Sequence, residues 1–118
     1  MLNVEGALRA YLQEKLGIPV FVAVPENPPD DFATVERTGG GDERTPVSEN
    51  PTVVVDYWGG TRAKALNLAN AGDDALVMFQ SESGISRVDF NSTCVHYPDY
   101  ASGHERYEST YSITTYEY

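Results

Sequence analysis

The residue types able to do nucleophilic or metal chemistry gather in one short stretch of this chain: Cys94, His96, Asp99 and His104. Cys94 and His96 stand two apart, so on a strand they share a face and could supply two metal ligands. A structural zinc site needs four closed ligands at tighter, repeated spacing, and both residue types are common as partly buried strand residues. Asp30-Asp31 and Asp73-Asp74 offer paired carboxylates, but the first follows Pro28 and Pro29 in a turn and the second falls on the polar flank of a helix. Both read as solvated charge. Gly39-Gly40-Gly41 could aim amides at a phosphate, yet no Lys-Ser or Lys-Thr follows at Walker spacing and the next residues are Asp42 and Glu43. No nucleophile, base and oxyanion group assembles from these residues. The chain therefore reads as a non-enzyme with no catalytic, cofactor or metal residue. A small metal-dependent enzyme using Cys94, His96 and His104 is the alternative from another class.

These residues hang on a scaffold that begins at Pro51. Thr52 to Tyr57 is a β-branched run, Gly59 and Gly60 make a turn, and Thr61 opens a helix with Ala65, Leu68, Ala69, Gly72, Ala75, Leu76 and Phe79 on one stripe. Three adjacent valines predict a strand covered on both faces. Upstream, Val4, Leu8, Tyr11, Leu12 and Leu16 mark a first helix, with Asn3 as N-cap and Gly17 as a left-handed stop. Val20 to Val24 reads as a strand. Phe32 to Thr38 reads as another whose faces are not cleanly apolar, so its burial is expected to come from a neighbouring subunit. Gly39 to Asn50 (GGGDERTPVSEN) reads as a long functional loop. Gly84 to Phe90, Cys94 to Tyr97 and Glu105 to Tyr116 read as three strands of a meander, the last rich in Tyr and Thr. The pattern predicts an α+β fold, a mostly antiparallel sheet packed by two helices, in a single domain over residues 1–118.

With 118 residues, the chain has the size of one domain and needs neither metal nor disulfide to build a core. One cysteine allows no internal bridge, which makes a reducing cytoplasm the default. No basic, then apolar leader is visible at the N-terminus, and no apolar run is long enough to span a bilayer. Eighteen acids against eight bases give a net charge of -10, which argues against wrapping a phosphate backbone or docking on an anionic membrane. The acids concentrate between Glu26 and Asp56. Six of the eight tyrosines fall in the last quarter, where interface use and ordinary strand propensity explain them equally well.

The order of features resembles a known family. An N-terminal helix, a strand closing in VERTGGG (Val35 to Gly41), the strand PTVVVDYWG (Pro51 to Gly59) and the helix start TRAKALNLA (Thr61 to Ala69) are similar to the tail terminators of long-tailed bacteriophages, also called minor tail or tail completion proteins. The resemblance implies a structural virion protein without catalysis. It implies a homohexameric ring at the head-proximal end of the tail tube, assembled in the host cytoplasm. Such a ring ends tube polymerisation and presents a head-tail joining surface. The implied partners are further copies of the chain, the major tail tube protein and the head connector or neck protein. DNA passes through the bore without specific binding, and no membrane is involved. By this likeness Asp42, Glu43, Arg44 and Glu49 are placed at the lumen or tube. The expected subunit interface is Phe32, Thr34, Glu36 and Arg37 together with Tyr107 and Tyr111. Another neck component, such as a head-completion or stopper protein, is the alternative within the same class.

Overall fold

A computed structural model describes residues 2–45 and 48–116, with backbone alone for 41–45. The elements follow as α1 (Val4–Leu16), β1 (Val20–Phe21), β2 (Phe32–Thr45), β3 (Ser48–Gly59), α2 (Arg62–Phe79), β4 (Ile85–His96) and β5 (Glu105–Tyr116). They form an α+β fold: one five-stranded sheet in the order β1-β2-β3-β5-β4, antiparallel except for the short β1–β2 pair.

Local chemistry sets the helix ends. The Asn3 side chain accepts from the Gly6 amide, and Gly17 adopts φ 67°, the left-handed conformation a glycine stop permits. Thr61 caps α2 by accepting from the Lys64 amide. The predicted stripe of α2 lies against the sheet, with Ala65, Ala69, Gly72, Leu76 and Phe79 buried. Small residues let the helix approach closely: a Cβ at Gly72 would stand 2.2 Å from the Tyr57 hydroxyl, so glycine is required there.

Both helices pack on the same face of the sheet, which corrects the expectation of a β3 covered on both sides. Val53, Val55 and Tyr57 point into the core and are fully buried, while Val54 and Asp56 alternate onto the opposite face and are only half-buried. The valine run arises from β-branched propensity as well as burial. β1 ends after two residues, and Val22 and Val24 are 54% and 51% exposed.

The predicted loop Gly39 to Asn50 is instead the end of a β-hairpin. Arg44 pairs with Glu49 and Thr45 with Ser48, beyond register shifts between Arg37 and Gly39 and between Gly40 and Arg44. Gly39 and Gly40 pair with Thr52 and Pro51 and do not use the positive-φ freedom that suggested a turn. The hairpin continues because β5 supports it from the other side, pairing Tyr116 with Ser48 and Thr115 with Glu49. Asn50 and Pro51 fall outside the register with β5, where Pro51 has no N–H to donate, and Thr114 Oγ1 of β5 donates to Asn50 Oδ1 at 3.4 Å.

The C-terminal strands also differ from a meander. β4 is one bulged strand from Ile85 to His96, and β5 inserts between it and β3. Cys94 sits at a bulge of β4 with φ 51°, and its amide donates to Ser109 Oγ at 3.1 Å.

Candidate functional site

Cys94, His96 and His104, the candidate metal ligands, do not converge. The Cys94 thiol faces α2, 3.2 Å from Asp73 Oδ2 and 3.3 Å from Asn70 Oδ1. Burial, then the Asp73 carboxylate, push its pKa up to about 11, so it is a poor nucleophile. His96 Nε2 lies 2.8 Å from Glu105 Oε2, and the His104 ring meets Phe32 and Trp58 edge-on. Asp99 belongs to the turn between β4 and β5, where Ser102 and the Ala101 amide donate to its carboxylate and Ser102 chiefly holds its pKa below the ordinary value. Among the described residues no three His, Cys, Asp or Glu side chains are grouped to hold a metal ion.

Asp73 corrects the reading of Asp73-Asp74 as solvated charge. Asp74 is exposed, but Asp73 accepts a very short hydrogen bond from the Tyr111 hydroxyl, which leaves the Tyr57 hydroxyl, 2.9 Å away, to donate to Tyr111. Burial pushes both phenols well above their ordinary range, so neither ionises. This Tyr57–Tyr111–Asp73 chain locks α2 to β3 and β5. It is structural, and side chains two elements apart in sequence gave no pattern by which to find it.

Most of the expected interface residues are consumed by the chain's own core. Phe32 is fully buried, stacked on Trp58 at 5.1 Å between ring centres, and Thr34 accepts from Trp58 Nε1. Tyr111 is fully buried, and Tyr107 is buried with its hydroxyl taking a hydrogen bond from Arg62. Glu36 and Arg37 are the exposed members of the set. Glu49, expected at a lumen, is buried and paired with Arg37 Nη1 at 2.6 Å. Asp42, Glu43 and Arg44 lie on the β2 arm of the hairpin, and their side chains fall outside the described residues.

Two surfaces among the described residues bear on assembly. One is the outer edge of β2, where β1 pairs only with Ala33 and Thr34 and the Glu5 carboxylate of α1 accepts the Arg37 amide at 2.7 Å. The other is the sheet face away from the helices. There Asp56 stands in register with Glu108 on β5 and Thr34 on β2, with Glu36 one pair further along β2 opposite Val54. Burial first, then Glu108, push the Asp56 pKa up to about 7. An acid inside the apolar run VVVDYW was the signal for this group in the sequence.

A chain from the virion of a native gene transfer agent particle superposes on this one with a TM-score of 0.64, covering 90% of this chain and 84% of that one at 17% identity. The two chains share a fold. No protein-family profile matches the sequence, and no curated protein does. No helix among the described residues is long and apolar enough to cross a membrane.

Proposed function

We propose that this chain is a structural subunit of a phage-like virion, and within it the tail terminator: a ring subunit that caps the head-proximal end of the tail tube and joins it to the neck. The observation that carries the reading is the fold shared with a gene transfer agent virion chain over nearly the full length of both. Three features of the molecule support it. Its candidate chemical residues are spent on structure, since Cys94, His96 and His104 each have separate local partners. Among the described residues no strand pairs with the outer edge of β2 beyond Thr34, and in a closed ring each copy can cover the next copy's edge. The net charge of -10 suits a bore through which DNA slides without sticking. In this reading Glu36 and Arg37 meet the neighbouring subunit, and the hairpin carrying Asp42, Glu43 and Arg44 lies toward the bore or tube.

The test is mass measurement by light scattering with and without purified tail tube protein, followed by electron microscopy of the tubes. Rings seated on one end of each tube are expected. A protein that stays monomeric in both conditions and leaves tubes uncapped overturns the proposal. Disruption of the gene should yield tails of abnormal length; normal tails left unjoined to full heads would instead identify a neck component.

A further inference from the structure

An open sheet edge presents backbone amides and carbonyls that another strand can pair with, so a stable monomer has to cover them. The outer edge of β2 is covered piecemeal. The Ala33 amide donates to the Pro19 carbonyl at 3.1 Å, just ahead of β1, and β1 itself pairs no further than Thr34. Beyond it the Arg37 amide turns away from β3 and donates to Glu5 Oε2 of α1 at 2.7 Å. The Arg37 side chain folds along its own strand, its Nε donating to the Gly39 carbonyl at 3.2 Å. Side chains thus meet backbone groups at this edge where, among the described residues, no strand does.

Glu5 stands where a strand carbonyl would stand. Asn3 caps α1, which puts Glu5 in the first turn, and α1 packs beside β1 and β2. The contact is exposed to water, so an incoming carbonyl can replace the carboxylate at little cost. The opposite border of the sheet is β4, twelve residues long and paired on one side only, with β5. Successive antiparallel pairings make β4 antiparallel to β2. A second copy laid beside the first in the same orientation therefore brings its β4 antiparallel to β2, with the helices of both copies on one face.

We propose that Glu5 plugs the β2 edge of the free subunit, and that β4 of a second copy displaces it to pair with β2 beyond Thr34. The inference rests on the ring reading, in which copies meet head to tail. A strand that must first displace the carboxylate pairs weakly by itself, so edge pairing waits for the other contacts of the ring.

Glu5→Gln and Glu5→Ala both remove the charge that favours the α1 N-terminus, but only glutamine keeps an acceptor for the Arg37 amide. The parent and both variants, each checked for folding by circular dichroism, are compared by sedimentation equilibrium. Glu5→Ala should self-associate about three- to tenfold more tightly than Glu5→Gln, the scale of one hydrogen bond. In NMR hydrogen exchange on dilute protein, the Arg37 amide should exchange faster in Glu5→Ala than in the other two. Association should then protect it together with alternate amides of 85–96. Equal association of the two variants overturns the plug, and protection at Arg37 without β4 overturns the choice of strand. The ring reading is decided apart from these, on tail tubes: a parent that caps tubes while the variants associate equally leaves the ring standing and the plug refuted.

Discussion

Replacing Gly72 by alanine tests the closest contact between helix and sheet. The added Cβ would stand 2.2 Å from the Tyr57 hydroxyl oxygen, 2.3 Å from Cε1 and 2.4 Å from Cζ. Tyr57 cannot swing away freely, being fully buried with its hydroxyl 2.9 Å from that of Tyr111. Either the ring or the helix must move. Overpacking costs about 1–3 kcal/mol, and parting the Tyr57 hydroxyl from its buried partner costs roughly 1–3 kcal/mol more. Alanine returns about 1 kcal/mol through its better helix propensity. The net expectation is a loss of roughly 1–5 kcal/mol. Urea unfolding followed by the fluorescence of Trp58, the single tryptophan, measures it. In a Tyr57→Leu background the ring is gone, and the same Gly72→Ala change should be neutral or stabilising. An alanine variant as stable as the parent, or one that costs the same in both backgrounds, refutes the close-contact argument.

Asp56→Asn should change stability in a pH-dependent way. Folding raises this carboxyl from 3.8 to about 7, chiefly by burial. The native state therefore binds a proton the unfolded chain has released, and loses stability as pH rises from about 4 to about 7. The variant should match the parent at pH 4 and exceed it by about 1 kcal/mol at pH 8, allowing for residual solvent screening, in urea titrations at both values. A gain independent of pH would count against the assignment. The Cys94 thiol, with its pKa up to about 11, should react with iodoacetamide at pH 8 more than about a hundredfold slower than free cysteine, as followed by mass spectrometry. Faster labelling would show that the thiol is not held against Asp73. Thr61→Ala removes the N-cap acceptor for the Lys64 amide and should cost about 1 kcal/mol by the same urea assay.

Where the physics was local, the sequence was sufficient to read it. Both helices, the cap at Asn3, the start at Thr61 and the stop at Gly17 follow from a 3.6-residue stripe and the hydrogen bonds of its ends. The α+β class follows from the alternation of those helices with β-branched runs. The hairpin was misread because glycine and charge describe a segment's preferences in isolation, whereas Ser48, Glu49 and their neighbours are held in a ladder by β5, more than sixty residues on. The burial of Phe32 and Thr34 within the chain itself was hidden for a related reason. Phe32 and Thr34 looked unpaired along their own strand, but Trp58 and the turn bearing His104 cover them from elsewhere in the chain.

The candidate surfaces divide in the same way. Composition determined that this is an acidic chain with few chemical residues, because charge and residue type need no folding to be counted. Only the tertiary structure decided which acids face one another. Asp56 and Glu108 meet because β5 inserts beside β3, and Asp73 is half-buried because it accepts from the Tyr111 hydroxyl, beside a Tyr57 hydroxyl that Gly72 lets approach the helix. Strand order and register are long-range choices, fixed by the total burial of both sheet faces rather than by any window of sequence.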